Sequence, residues 1–348
     1  MVNKVSLVDL SRFTRQFAAM SSAGIPLILC LETLSLQTQN KILKTAIENI
    51  SREVQTGSTL SSAVSKHPKI FNRLYSAMLK AGESGGILPA ILLRLAEYQE
   101  KTVALQRKVK GAMTYPVIVA IIALGAITAF MTFVVPTFSS MLADLGVALP
   151  RPTRIIMGIS TFLQDWIFYL FLLIAIIAGA IIILYEKKPK LRLYIDSLRL
   201  KIPLFGELSK KSAVSRFTRT GGSLLAGRVP ITEALEITAH TADNRVIELA
   251  LLDALSAIKT GKNISDSLKD AGIFPPMVIQ MILVGEKTGT LPSMLDKISD
   301  YYDNELEASI GILTSVLEPL MIVIMGIIVA GILAAMYLPM LQIIDSLQ

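Results

Sequence analysis

A tetrapeptide, Arg12-Phe13-Thr14-Arg15, returns 204 residues later as Arg216-Phe217-Thr218-Arg219, and the register holds for over a hundred residues beyond it. Pro26 maps onto Pro230 and Gly57 onto Gly261 at that offset. Phe71 maps onto Phe274, Gly82-Glu83 onto Gly285-Glu286, and Gly86-Ile87-Leu88-Pro89 onto Gly289-Thr290-Leu291-Pro292 at 203. Pro116 and Pro136 match Pro319 and Pro339 at the same offset. The chain is therefore a duplication, and each copy must fold by the same rules. Within a copy the apolar period is helical: Leu10, Phe13, Phe17 and Met20 step along one face, matched by Val214, Phe217, Gly221 and Leu224. No run alternates as a half-buried strand would. Glycine and proline punctuate each copy into roughly five or six short helices, a compact bundle.

Composition adds a second solvent. Hydrophobic residues make up 52% of the 348-residue chain and charged residues 18%, displaced on both counts from a soluble average of about 45–50% and 25%. The excess is concentrated. No charge falls between Lys110 and Asp144, none between Asp165 and Glu186, and only Glu318 interrupts Val316 to Met340. Crossing a bilayer takes roughly 20 apolar residues, so three spans are expected, at 111–137, 155–185 and 313–341. The fold class is then all-α: an integral membrane protein with three transmembrane helices and two homologous cytoplasmic helical-bundle domains, 1–110 and 186–312. A loop at 138–154 and a tail at 342–348 lie outside the cytoplasm. Arg107, Lys108 and Lys110 before the first span, and Lys187, Lys188, Lys190 and Arg192 after the second, set that orientation. The first span lacks a signal-peptide layout, so no cleaved signal is expected.

The net charge of +7 is uneven: residues 1–112 carry +8, residues 186–310 only +1, and the remainder −2. Membrane lipid headgroups or a protein partner account for a basic first domain; without aromatic interleaving, no direct contact with nucleic acid is expected. A single cysteine, Cys30, excludes an intramolecular disulfide framework, and two histidines leave little for a metal or imidazole site. Gly285-Glu286-Lys287-Thr288-Gly289 is no phosphate loop, because its Lys-Thr pair precedes the second glycine. Neither a cofactor nor a catalytic residue is expected.

Taken together, Phe13-Thr14-Arg15-Gln16, Ala23-Gly24-Ile25-Pro26-Leu27, Gly285-Glu286-Lys287-Thr288-Gly289-Thr290-Leu291 and the stretch from Asp300-Tyr301-Tyr302 to Glu318-Pro319 resemble the type II secretion protein F / type IV pilus PilC family of inner-membrane platform proteins. The resemblance covers nearly the whole chain. It implies a non-enzymatic, multi-pass protein of the bacterial inner membrane that couples a cytoplasmic hexameric assembly or retraction ATPase to pilin or pseudopilin addition. It also implies other inner-membrane assembly proteins as partners and a homo-oligomer, dimer or higher. A transporter or channel subunit is the alternative, weakened by two large polar domains on only three spans.

Three groups of residues are candidate sites. Arg12, Arg15, Lys66, Lys69 and Arg73 would form a basic docking surface for the ATPase. The loops at Gly82, Glu83, Gly285, Glu286 and Gly289 read either as helix ends or as partner-docking elements. In the first reading Gly82 and Gly285 take left-handed positions, Pro89 and Pro292 open the next helix, and the glutamates stay solvated or stabilise a helix N-terminus. Within the membrane, Pro116, Glu318 and Pro319 stand out. Glu318 could reach headgroups, pair inside a helix bundle or relay protons.

Overall fold

The structure, a computed structural model, describes residues 5–137, 140, 151–202 and 205–346, and among these there is no strand. The first copy folds as α1 (Leu7–Ser22), α2 (Leu27–Gln37), α3 (Lys41–Gln55), α4 (Leu60–Ser65), α5 (Arg73–Ser84) and α6 (Leu88–Ala129), which continues through a π-helical turn at Phe130–Val134. Then come α7 (Arg151–Lys187) and α8 (Pro189–Lys201). The second copy repeats the first as α9 (Phe205–Ala226), α10 (Ile231–Ala239), α11 (Arg245–Lys259), α12 (Ile264–Asp270), α13 (Pro276–Thr288) and α14 (Leu291–Ser346). Most of the loop expected at 138–154 lies outside the described residues, and α7 begins at Arg151.

Local chemistry starts these helices where they start. Ser6 and Asp9 form a reciprocal capping box on α1, Asn40 accepts from the amides of Ile42 and Leu43 on α3, and Asn244 does the same for Val246 and Ile247 on α11.

The chain divides into two compact units: residues up to Val109 with Leu193–Ser309, and Lys110–Arg192 with Ile310 onward. In the first, copy one closes on an aromatic knot, Phe13 against Phe17 and Phe71, and Phe71 against Tyr75 with ring centroids 4.9 Å apart. The Tyr75 hydroxyl sits 3.2 Å from Thr14 Oγ1, which donates its own proton to Leu10 O; Tyr75 is therefore the donor, and burial pushes its phenol up. Copy two has a parallel core around Phe217 and Phe274, centroids 4.8 Å apart. The two cores are not used alike. Leu224, Val229, Ala234 and Ile237 of copy two join the core of copy one, whereas copy one sends no side chain into the fully buried core of copy two.

In the second unit Met131, Val135 and Ile332 form a small buried cluster, and the Ser160 hydroxyl donates to the Met131 carbonyl inside the π-helical turn. Such turns leave a carbonyl poorly paired along the helix, and a hydroxyl from a neighbour fills the gap. Among the described residues, two helical stretches are long and apolar enough to cross a membrane, Leu88–Thr137 and Leu291–Ala334.

Candidate functional site

The Gly-Glu loops are built from a close approach, a cap and a left-handed turn. Gly82 and Gly285 are not the left-handed residues anticipated from the sequence; both lie within helices, α5 and α13. Their reason is space. A Cβ on Gly82 would stand 2.9 Å from Ile91 Cγ1, and one on Gly285 would stand 2.9 Å from the Leu291 Cα. These glycines let the last helix of each copy pack closely on the preceding one, against the Ile91 side chain in copy one and against the Leu291 backbone in copy two. The left-handed positions fall on Gly86 and Gly289, with φ of 65° and 71°, where a side chain would be strained. Pro89 and Pro292 occupy the second position of α6 and α14, as expected.

Glu83 and Glu286 are caps. The Glu83 carboxylate accepts from Leu60 N (2.5 Å), Ser61 N (2.9 Å) and the Ser61 hydroxyl. Glu286 accepts from Ile264 N (2.8 Å), Ser265 N (3.2 Å) and Ser265 Oγ (2.9 Å). Each thus satisfies the first two orphan amides of a short helix, α4 or α12, and places a negative charge at its positive end. The copies differ in support: Thr59 Oγ1 also accepts from Ser62 N on α4, whereas Asn263 gives α12 no side-chain cap. Glu286→Ala is therefore expected to cost about 2 kcal/mol and Glu83→Ala about 1 kcal/mol, with the glutamines between, read as the ordering of melting temperatures.

The repeated arginine is a strut. Arg15 on α1 donates from Nε to Glu100 Oε1 on α6 at 2.6 Å, with a second bond to Oε2; this pairing holds the Glu100 carboxyl below its usual range. In copy two Arg219 bonds Asp303 through one nitrogen only, its Nε donating to Ser299 Oγ at 3.2 Å and its terminal nitrogen also to Ser215 Oγ at 3.1 Å. The Arg15 side chain is 39% exposed and that of Arg219 only 6%. The structure so removes Arg15 from the free basic surface. Lys66 is 2.8 Å from Glu53, whereas Arg12, Lys69 and Arg73 are exposed, with no ion pair among the described residues. Arg73 lines a groove of about 990 Å³ whose charged residues include Lys80, Lys259, Glu233 and Glu236.

Among the described residues, three ion pairs tie the last helices of the copies together: Arg94–Asp296 at 3.4 Å, Lys101–Asp300 at 2.5 Å and Lys108–Glu307 at 2.5 Å. Sequence reasoning missed them, because nothing in the spacing says which helices meet. Burial pushes the Asp296 carboxyl up, against Arg94. In the apolar helices Pro116 is buried, Pro319 is exposed, and Glu318 is exposed with no ion pair among the described residues.

A family model for type II secretion system (T2SS) protein F matches twice, over residues 13–136 and 217–339, the two copies found by internal repetition. The chain belongs to the type II secretion system protein F family. Among members of that family, it is 43% identical over 346 residues to the type IV pilus assembly protein PilC of Myxococcus xanthus, covering 98% of this chain and 81% of that protein. PilC of Thermus thermophilus is 42% identical over 98% of this chain and 84% of its own length. The type II secretion system protein F of Vibrio cholerae is 29% identical over 97% of this chain and 83% of its own length. In this chain the repeated motifs are architecture: Gly-Glu as close approach plus cap, and the second arginine of Arg-x-x-Arg as an interhelical strut.

Proposed function

We propose that this chain is an inner-membrane platform of a type IV pilus or type II secretion machine, coupling a cytoplasmic hexameric ATPase to the addition or removal of pilins or pseudopilins. Similarity to pilus assembly proteins over 98% of this chain carries the reading. It is a non-enzymatic role. Three spans, 111–137, 155–185 and 313–341, hold domains 1–110 and 186–312 in the cytoplasm and the 138–154 loop and C-terminal tail outside, by the basic flanks at 107–110 and 187–192. In this topology Glu318 lies near the cytoplasmic end of the third span, where a carboxylate reaches headgroups.

The ATPase grips the basic first domain. A grip made and broken in each cycle favours charged contacts over a greasy patch, and the exposed Arg12, Lys69 and Arg73 supply them, with Lys66 beside them. Gly82, Glu83, Gly285, Glu286 and Gly289 serve that surface indirectly, by shaping the loops around it. Reversing Lys66, Lys69 and Arg73 to Glu is expected to weaken ATPase binding at least tenfold at low salt and to flatten its salt dependence, since fewer charges remain to be screened. A pull-down at two ionic strengths, with and without lipid vesicles, reads this. Unchanged ATPase binding with altered lipid affinity alone overturns the assignment.

A further inference from the structure

The contact between the two copies is head-to-tail. Copy two offers the corner between α9 and α10, and copy one receives it on α5 and the start of α6. A Cβ on Gly227 would stand 3.1 Å from Ile91 Cδ1, and Tyr98 OH lies 3.3 Å from Thr220 Oγ1. Among the described residues, α1–α2 and α13 share no buried cluster: those faces belong to separate cores. A heterologous interface between like units leaves one complementary face open at each end. Here both open faces are on one chain.

The receiving face shows what is missing. Leu74 is 2% and Met78 0% exposed in copy one. Their counterparts on α13 are uncovered: Met277 is 39% exposed and Met281 half-buried, and Val284, the counterpart of half-buried Ala81, is 50% exposed. At steps of four and three they form one apolar stripe on the helix. The offered corner is open likewise: Ala23, counterpart of Gly227, is exposed, and Ile25, counterpart of the 5% exposed Val229, is half-buried. The charges do not carry over as pairs: Lys297 stands where copy one has Arg94 and Glu97 stands where copy two has Asp300, both exposed, so the apolar faces carry the match.

We propose that the open α13 face of one chain takes the α1–α2 corner of a second copy, repeating the intrachain contact. Tyr301 then meets Gln16 of the second copy, as Tyr98 meets Thr220, and Met294 meets its Ala23. The partner is this same chain because duplication already made the two faces fit, and no other partner is required to match both. Lys101 and Lys108 are replaced at the open end by Asn304 and Gly311, and Asp296 and Glu307 by Leu93 and Ala104, so the intermolecular contact reproduces none of the three internal ion pairs and is the weaker of the two. The inference rests on the interface geometry and does not depend on the ATPase reading.

The test uses full-length chains in membranes, with Gln16→Cys on one tagged population and Tyr301→Cys on another, joined by a short bis-maleimide. Both positions are exposed, and the parent chain, whose Cys30 is buried, sets the background. The mixture is expected to give at least tenfold more covalent dimer than either variant alone, and Val284→Glu on the Tyr301→Cys chain is expected to abolish it without lowering the melting temperature. Equal cross-linking of either variant with itself, which marks a symmetric dimer, overturns the proposal. So does a mixture no better than background, or a yield unmoved by Val284→Glu. ATPase binding, measured separately on the chains before cross-linking, tests the other reading, so the two can fail independently.

Discussion

Arg219→Met is expected to destabilise the protein by about 3–5 kcal/mol, the range for breaking a buried ion pair from one side. Arg15→Met, at the equivalent place in the duplicate, should cost less than about 1 kcal/mol. The chemistry is the same and the surroundings are not. Arg219 is buried, and its loss leaves the Asp303 carboxylate with Ser215 as its remaining hydrogen-bond donor in a half-dry site. Arg15 and Glu100 both reach water, which takes over when the pair is cut. Thermal melting of the full chain in detergent should separate the two variants by on the order of 10 °C, given roughly 2–4 °C per kcal/mol at this domain size. Equal shifts would mean that the neighbouring copy does not shield Arg219 in solution. The joint variant Arg219→Met with Asp303→Leu should recover most of the loss, because the uncompensated charge is gone.

Gly285→Ala should be the second severe change, at about 3 kcal/mol, the upper end of overpacking costs. The added methyl meets the Leu291 Cα, a backbone atom that moves only if α14 itself moves. Gly82→Ala meets Ile91 Cγ1 and Cβ, side-chain atoms that a smaller shift of α6 relieves, so about 1 kcal/mol is expected there. Gly311→Ala is the control: open space surrounds its Cβ position, and the exchange should be neutral or stabilising by up to about 1 kcal/mol from helix propensity. Melting temperatures ordered 285 below 82 below 311 would bear out the close approach, whereas equal effects at 82 and 285 would contradict it.

The left-handed assignment of Gly82 and Gly285 shows where pattern reading stops. A Gly-Glu pair ahead of Gly-x-Leu-Pro marks a helix end, and the helix does end there, but the left-handed residue is the later glycine, Gly86 or Gly289. A glycine required for φ and a glycine required for space look identical in a sequence. Only the neighbour, Ile91 or Leu291, distinguishes them. The basic patch on domain one was legible as charge but not as availability, since Arg15 and Lys66 acquire partners from segments 85 and 13 residues away.

What the sequence determined by itself is whatever repeats along the chain: two copies, their helices, the helix ends and the apolar stretches. These follow from local periodicity and from a register that survives duplication, neither of which needs a distant neighbour. Tertiary structure alone decided how the duplicates differ. Residues that occupy equivalent positions, Arg15 and Arg219 or Leu74 and Met277, have opposite exposure because the copies meet head-to-tail and not symmetrically. Burial depends on what covers a side chain, and a repeated sequence gives both copies the same local instructions while the heterologous contact covers each on a different face.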